Sequence, residues 1–226
     1  MKNITLAALF ALCAVLTLPI CAEEAGWVDL FNGKDLSGWT QKNGKALYAV
    51  ENGEIVGTSV PNTENSFLCT EKDYGDFELE FEFLGHPSLN SGVQVRSQSL
   101  PDYKDGRVHG YQCELEDEAQ DRDWFCGIYD EGRRGWLFPT KEDKDTGKVF
   151  GDAGRRLWKN GEWNLVRIEA KGGRIRTWLN GEARADLEDS MTLSGFIALQ
   201  VHGVGKKETP MSVRWRNIRI RELAAE

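Results

Sequence analysis

The sequence predicts an all-β protein, a sandwich or jelly roll of two antiparallel sheets, on three observations. No window after the first residues keeps apolar side chains at positions i, i+3, i+4 and i+7 over three turns, so helix signals are scarce. Apolar and polar residues instead alternate in many short segments, as strands with one buried face require. Turn signals separate these segments, and the chain holds 24 glycines. Many short strands with such turns are typical of sandwiches and jelly rolls.

The clearest strand covers residues 77–83, where phenylalanine or leucine alternates with glutamate without a break. The apolar side chains are expected to face the core and the three glutamates to form a solvated face. The same alternation predicts further strands at 91–98, 111–116, 164–170, 174–180, 196–201 and 213–221. A long interruption, rich in glycine and charge, predicts one long loop around 130–158. Such a loop in a small domain is typical of a lid or rim over a binding face.

The first residues have the pattern of a signal peptide. Lys2 precedes an apolar run, Ile4 to Leu18, of about 15 residues, too short for a hydrocarbon core of roughly 30 Å. We therefore expect residues 1–22 to be cleaved, the chain to be exported to the periplasm or secreted, and the mature region to lack a transmembrane helix. Cys21 offers a lipid anchor as the alternative, which the bulky Ile20 before it disfavours. Residues 23–226 then form a single domain.

The charge balance narrows the class of partner. Acidic residues number 36 against 28 lysines and arginines, giving a net charge of −8. This argues against nucleic acid or anionic lipid as the main partner. The arginines near the C-terminus alternate with apolar residues, which predicts a solvated strand face.

The cysteines and acidic stretches give no firm metal or cofactor signal. Cys69, Cys113 and Cys126 lie beyond the predicted signal peptide and are expected first as core residues, with a Cys113–Cys126 disulfide as the second possibility. Acidic runs at 116–118 and 121–123 offer oxygen ligands for calcium but lack a fixed loop pattern, which favours a solvated acidic loop. We therefore expect no cofactor.

Sorting side chains by strand face gathers one polar group. If the strands at 91–98, 111–116 and 196–201 are neighbours, their outward face combines amides, a guanidinium, a carboxylate and an imidazole. Such groups bind polyhydroxylated ligands, and tryptophans beside the predicted long loop, Trp124 among them, offer stacking platforms for sugar rings. The polar group consists of Gln94, Arg96, Gln112, Glu114, Gln200 and His202.

Several ordered segments resemble the 3-keto-disaccharide hydrolase family over about residues 27–223. They are WVDLFNGKDLSGW (27–39), NSGVQVRS (90–97), GYQ (110–112), GEWN (161–164), WLNG (178–181), LQVHG (199–203) and WRNIRI (215–220). The resemblance implies a concanavalin-like jelly roll of two antiparallel sheets. It also implies exported enzymes that act on carbohydrates oxidised at C3, beside a separate sugar-oxidising oxidoreductase.

One motif departs from the family pattern. Many members have Gly-Tyr-Glu-x-Gln where this chain has Gly-Tyr-Gln-Cys-Glu at 110–114, and the segment 128–134 resembles a subgroup with that exchange. The resemblance and the face sorting together imply that Glu114 and His202 act as the base and the acid, in either order, and that Tyr129 is a further proton donor. The implied substrate-binding residues are Gln94, Arg96, Gln112, Gln200, Trp124 and Arg133.

A 3-keto group acidifies the proton at C2, so a base can remove it, the aglycone can leave C1, and water can add back. Three other functions stay open at this point. Glu114 and Glu116, about 6.5–7 Å apart along one strand, fit a two-carboxylate glycosidase. A non-catalytic carbohydrate-binding module has the same expected fold. A scaffold domain would use its tryptophans for protein contact.

Overall fold

Two antiparallel β-sheets packed face to face make up the fold, which confirms the predicted jelly-roll class. The computed structural model describes residues 26–115, 122–207 and 210–224. The predicted signal peptide and Glu116 therefore lie outside the described residues. Within these ranges, no helix is long and apolar enough to span a bilayer.

The first sheet has eight strands in the order β13-β12-β11-β6-β15-β4-β3, with β1 paired to β15. Its strands are β1 (Val28–Asp29), β3 (Leu47–Glu51), β4 (Glu54–Thr58), β6 (Phe77–Leu84), β11 (Asn164–Lys171), β12 (Arg174–Leu179), β13 (Glu182–Glu188) and β15 (Ser212–Glu222).

The second sheet has seven strands in the order β10-β9-β8-β7-β14-β5-β2. They are β2 (Trp39–Lys42), β5 (Ser66–Tyr74), β7 (Ser91–Gln98), β8 (His109–Leu115), β9 (Ile128–Glu131), β10 (Gly135–Phe138) and β14 (Gly195–Val201). The strands that were expected to share a polar face, β7, β8 and β14, are indeed adjacent.

The core lies between the sheets and follows the alternation in the sequence. Phe77, Leu79, Phe81 and Phe83 of β6 are at most 1 % exposed, and Trp215 of β15 packs beside Phe83. Because residues two apart share a face, the glutamates of β6 lie on the outer surface of the first sheet.

That outer surface is a ladder of ion pairs. Arg219 contacts Glu80 at 2.7 Å and Arg216 contacts Glu82 at 2.9 Å. Glu78, only 5 % exposed, pairs with arginines of β11 and β15. The arginines near the C-terminus thus pair with the glutamates of the neighbouring strand.

The prediction of one long loop around 130–158 is wrong. This stretch contains the end of β9, all of β10 and a helix, α1 (Lys144–Leu157). Asp143 caps the helix by accepting a hydrogen bond from the Thr146 backbone N–H at 2.9 Å. A single-turn 3-10 helix, Lys104–Gly106, is the other helical element among the described residues.

Glycines let α1 lie directly on the segment 122–124. The buried positions of the helix are Gly147, Phe150, Gly151 and Gly154, which have the i, i+3, i+4, i+7 spacing of an amphipathic helix. A Cβ on Gly151 would come within 2.2 Å of the Arg122 carbonyl oxygen. The helix therefore fixes the position of Arg122 and its neighbours.

Candidate functional site

A polar cavity of about 240 Å³ opens on the outer face of the second sheet. Period-2 alternation places Cys113 and Leu115 of β8 in the core, so Gln112 and Glu114, which alternate with them, face outward into this cavity. Strands β8, β9, β10 and β14 and the loops beside them supply its walls. The lining residues are Asn90, Gln112, Glu114, Arg122, Tyr129, Glu131, Trp136, Lys141, Gln200 and His202.

Gln112 is the centre of a directional chain of buried amides below the cavity. Its Oε1 accepts hydrogen bonds from Gln94 Nε2 at 2.5 Å and from Gln200 Nε2 at 2.9 Å. Its Nε2 donates to Glu114 Oε2 at 2.8 Å, and Ser97 Oγ donates to Gln94 Oε1 at 2.8 Å. Every donor thus has an acceptor, and the chain ends on the Glu114 carboxylate.

Glu114 is 4 % exposed and held by a second amide, since Asn90 Nδ2 donates to its Oε1 at 2.6 Å. Both carboxylate oxygens therefore act as acceptors of N–H groups. Asn90 Oδ1 and Gln200 Oε1, in contrast, are buried and have no hydrogen-bond partner within the described part of the chain. Both oxygens are inaccessible to solvent, so they form an unsatisfied polar layer directly beneath the cavity wall.

Tyr129 lies across from Gln112 in the β8–β9 pairing. Burial raises the pKa of its hydroxyl, and the negative charges of Glu131 and Glu114 raise the pKa further. The phenol therefore keeps its proton at neutral pH and can donate it or share it in a hydrogen bond.

His202 is exposed at the cavity rim, and its Nδ1 lies 2.8 Å from the carbonyl oxygen of Gly203. A carbonyl oxygen only accepts, so Nδ1 carries the hydrogen. In the neutral ring Nε2 is then unprotonated, and in the charged ring Nε2 is a donor. The imidazole can thus exchange a proton at Nε2.

Five lining residues were absent from both the predicted polar group and the site residues that the resemblance implied. Asn90 directly precedes β7 and lies in a segment that carried the family resemblance. Glu131 follows Tyr129 by two residues on β9 and pairs with Arg107 at 2.8 Å. Arg122, Trp136 and Lys141 come from a short segment, from β10 and from the start of the α1 region. The period-2 signal around these three residues is too short to predict which way their side chains face, although Trp136 is one of the tryptophans that were expected beside the long loop as stacking platforms.

A second cavity, of about 680 Å³, lies between α1 and the segment 122–124 and shares Arg122 and Lys141 with the first. Trp124 lines this second cavity, where its Nε1 donates to the Gly147 carbonyl at 2.9 Å. It stands edge-on to Trp136, with ring centroids 4.7 Å apart. Trp124 therefore lines the second cavity and does not line the cavity that contains Glu114.

Arg96 does not share the polar face, so this prediction is wrong. The ladders of β7 with β8 and with β14 shift register around it, and its φ of 48° is left-handed. The bulge turns the Arg96 side chain away from the polar face, toward the turns that contain Gly75 and Gly172. There the guanidinium donates to the carbonyls of Gly75 at 2.8 Å and Gly172 at 2.7 Å and to Asp76 at 2.8 Å. It is fully buried and serves the fold.

Two more predicted binders lie away from the cavity wall. Gln94 is fully buried beneath Gln112 and supports it. Arg133 pairs with Asp130 at 2.7 Å and lies over the Tyr111 ring, outside both cavities. Glu114, His202, Tyr129, Gln112 and Gln200 are brought together as the face sorting and the resemblance implied.

Across the described residues, no cluster of three or more histidine, cysteine or acidic side chains is positioned to hold a metal ion. Most of the acidic residues named as calcium candidates, 116–118 and Asp121, lie outside the described residues.

A family model described as a 3-keto-alpha-glucoside-1,2-lyase-like domain matches residues 26–221. The chain belongs to this family. The match confirms the resemblance seen in the sequence, and it favours a glycosyl hydrolase-like or carbohydrate-binding function. Among curated proteins, none matches the chain.

Solved structures share the fold of this family member. A putative glycosyl hydrolase from Parabacteroides distasonis is 23% identical, with a TM-score of 0.59 over 88% of this chain and 94% of that one. The carbohydrate-binding module CBM66 from Bacillus subtilis is 18% identical, with a TM-score of 0.54 over 82% and 96%. A Bacillus licheniformis beta-glucanase is 10% identical, with a TM-score of 0.53 over 89% and 100%. At these identities the likeness concerns the fold alone.

Proposed function

We propose that this protein cleaves glycosides whose sugar ring carries a ketone at C3. The observation that carries the proposal is the buried Glu114 carboxylate, held on both oxygens by amide donors in a cavity that also contains a protonated phenol. A fixed base beside a proton donor is what removal of a proton next to a ketone requires. The family description, a 3-keto-alpha-glucoside-1,2-lyase-like domain, names C1 and C2, the carbons that lose the aglycone and the proton in such an elimination.

The reaction balances in two stages. A base takes the proton from C2, and the electron pair of that C–H bond forms the enolate of the C3 ketone. The enolate then expels the aglycone oxygen from C1, which leaves a C1–C2 double bond, and the aglycone takes up a proton. Water adds its oxygen to C1 and a proton to C2, so that the sum of both stages is hydrolysis.

We assign removal of the C2 proton to Glu114, because its carboxylate is buried and held in place by two amide donors. Tyr129 faces the same cavity and keeps its proton, so it stabilises the enolate oxygen by donating a hydrogen bond. His202 stands at the exposed rim, where a leaving aglycone meets solvent, and its Nε2 supplies the proton. Asn90 and Gln200 also line the cavity, and the polar groups of this wall hold the sugar hydroxyls.

A two-carboxylate hydrolysis is less well supported. Among the described residues, the second carboxylate in this cavity is Glu131, which pairs with Arg107 at 2.8 Å, whereas Glu116, the partner predicted from the strand spacing, lies outside them. In the strand register Glu114 faces Gly127, so Glu131 lies four residues further along β9. At ~3.3 Å per residue the two Cα atoms are about 13 Å apart along the strands, with the Tyr129 phenol between them. Retaining and inverting pairs need carboxyl groups roughly 5–9.5 Å apart.

A non-catalytic carbohydrate-binding module is the second candidate. The observation in its favour is the fold shared with CBM66 over 82% of this chain, together with a groove of two joined cavities. This function needs the hydroxyl acceptors but not the base. Binding of a sugar without any turnover would select it.

Export through residues 1–22 is part of the proposal, as is the single mature domain of residues 23–226. The substrate requires a C3 alcohol to be oxidised first. We therefore propose a separate sugar-oxidising oxidoreductase upstream of this protein.

The test compares a 3-keto-disaccharide with its unoxidised parent and follows the released monosaccharide. We expect release from the oxidised substrate only, and Glu114→Gln should lower kcat by roughly 100-fold or more. The matched control is Glu188→Gln, on the exposed end of β13. The same assay on Tyr129→Phe tests the hydrogen bond to the enolate, and on His202→Gln it tests the proton supplied to the aglycone. Unchanged turnover of Glu114→Gln would remove Glu114 from the mechanism, and cleavage of the parent would favour the two-carboxylate route.

A further inference from the structure

A β-bulge directly beneath the Glu114 cavity brings two cysteines together. Glu114 N–H donates to the Gly127 carbonyl at 2.9 Å, while Cys126 N–H donates to the Glu114 carbonyl at 2.8 Å. Two residues of the returning segment therefore face the single residue Glu114. Cys126 has a φ of 60°, the left-handed conformation that a bulge residue can adopt. The extra residue changes the direction of the Cys126 side chain.

As a result, Cys113 and Cys126 point into the same core. Cys113 faces inward because its neighbours Gln112 and Glu114 face the cavity. Both cysteines belong to the main hydrophobic cluster and are at most 2 % exposed. The two side chains contact each other at hydrogen-bonding range, and both are free thiols in this structure. Cys69 belongs to the separate cluster on the other side of the sheet.

We propose that Cys113 and Cys126 form a disulfide bond in the exported protein. The reaction is a thiol–disulfide exchange with a protein or glutathione disulfide of an oxidising compartment. One cysteine thiolate attacks the oxidant disulfide and displaces one of its sulfurs as a thiolate. The second cysteine thiolate then attacks the mixed disulfide, so that the S–S bond between the cysteines forms and the second oxidant sulfur leaves. The two protons of the cysteine thiols end on the two thiols of the reduced oxidant. Cys69 has no partner thiol in its cluster and stays reduced.

The bond has to form before the core closes. Contact with Cys126 and burial raise the pKa of the Cys113 thiol well above its usual range, so the folded protein holds very little thiolate. Exchange requires the thiolate and access to it. Oxidation is therefore expected during folding, and a folded, reduced protein should oxidise slowly.

The bridge would join β8 to the segment that leads into β9, and Glu114 and Arg122 from these two parts line the cavity. Residues 114–125 lie between the cysteines and include Glu114, Arg122 and Trp124. Closing such a loop restricts the unfolded chain, and it holds the Glu114 strand against the segment that leads into β9. A disulfide here therefore stabilises the fold and the site together.

The test is a tryptic map of the exported full-length protein, alkylated without reduction. Cys113 lies in the peptide 108–122 and Cys126 in the peptide 123–133, each with one cysteine. We expect these two peptides as one linked species that separates on reduction, with Cys69 alkylated after denaturation. The Cys126→Ser variant should melt roughly 5–10 °C below the wild type without reductant and close to it with reductant. Cys69→Ser is the matched control and should keep the linked species.

Both unlinked peptides in alkylated form, from protein exported through its own leader, would overturn the proposal. A melting difference between Cys126→Ser and wild type that persists in reductant would assign the effect to packing. If Cys126→Ser does not fold, the reduced wild type can be refolded with and without glutathione disulfide to decide whether the Cys113–Cys126 bond forms. The linked peptides should form only with the oxidant, and their absence there would also overturn the proposal.

Discussion

Exchanging Gln112 and Glu114 tests the directional amide chain most sharply. In the double variant Gln112→Glu/Glu114→Gln, the introduced carboxylate can accept from Gln94, from Gln200 and from the introduced amide. The oxygen of that amide can accept from Asn90 Nδ2. Each hydrogen bond seen around the wild-type pair thus has a donor and an acceptor in the double variant. The exchange also restores the Gly-Tyr-Glu-x-Gln order of many family members.

The single variants cannot satisfy the same chain. Gln112→Glu places two carboxyls at the 2.8 Å contact, so one must stay protonated. Against an unfolded pKa of ~4.3, this costs at most about 4 kcal/mol at pH 7, at ~1.36 kcal/mol per pKa unit. Glu114→Gln makes two N–H donors compete for one amide oxygen, which costs about 1–3 kcal/mol. The double variant should lie within about 1 kcal/mol of the wild type, because no buried donor is left unmatched.

The assay is urea unfolding of the four proteins as a double-mutant cycle, with an expected coupling of at least about 3 kcal/mol. A pH series checks the cause. The introduced carboxyl has a raised folded pKa, so its destabilisation grows as pH rises above ~4.3 and should shrink to about 1 kcal/mol at pH 5. A double variant as unstable as the sum of the single variants would refute the directional chain.

Three further perturbations address the parts of the fold that hold the site. Replacing the buried guanidinium in Arg96→Met should lower the free energy of unfolding by about 3–5 kcal/mol, with sugar affinity of the folded protein unchanged; lost affinity alone would return Arg96 to the site. Gly151→Ala should lower both Tm and affinity because its Cβ meets the Arg122 carbonyl at 2.2 Å, whereas Val149→Ala, 70% exposed on the same helix, should change neither. Burial opposes ionisation of Asp189, but hydrogen bonds from Arg134 and Tyr111 outweigh it and lower the pKa to about 2. Stability from this carboxylate is present above an unfolded pKa of ~3.9 and is lost as pH falls toward 2, so Asp189→Asn should cost about 1–2 kcal/mol at pH 6 and little at pH 2.5. An equal cost at both pH values would contradict the ionic cause.

The sequence was most informative where strands are regular. In β6 the alternation places every phenylalanine in the core, and in β8 and β14 it places Gln112, Glu114 and Gln200 on one face. The backbone period of two is enough for these assignments. The family resemblance added Tyr129 to the same cavity.

Local irregularity limits what the sequence can predict. Arg96 sits at a bulge, where one extra residue breaks the alternation and turns the side chain toward the sheet edge. Helix α1 has the correct spacing of buried positions, but Gly147, Gly151 and Gly154 occupy them in place of apolar residues. Glycine has low helix propensity, so the stretch resembled a loop. The helix exists because close packing on the segment 122–124 outweighs that propensity.

The direct test of the proposed chemistry is the fate of the hydrogen at C2. A 3-keto-disaccharide with deuterium at C2 of the keto sugar would be cleaved in ordinary water, and the early product analysed by mass spectrometry, with an enzyme-free sample correcting for spontaneous exchange. Elimination transfers the deuteron to Glu114, so exchange of that carboxyl with water before C2 is protonated again gives an unlabelled keto sugar, and breaking the C2–D bond slows cleavage relative to the unlabelled substrate. Glu114→Gln should slow label loss and cleavage equally. A released keto sugar that retains all of its deuterium, formed at the same rate as from the unlabelled substrate, would contradict proton abstraction at C2 and would point to direct displacement at C1.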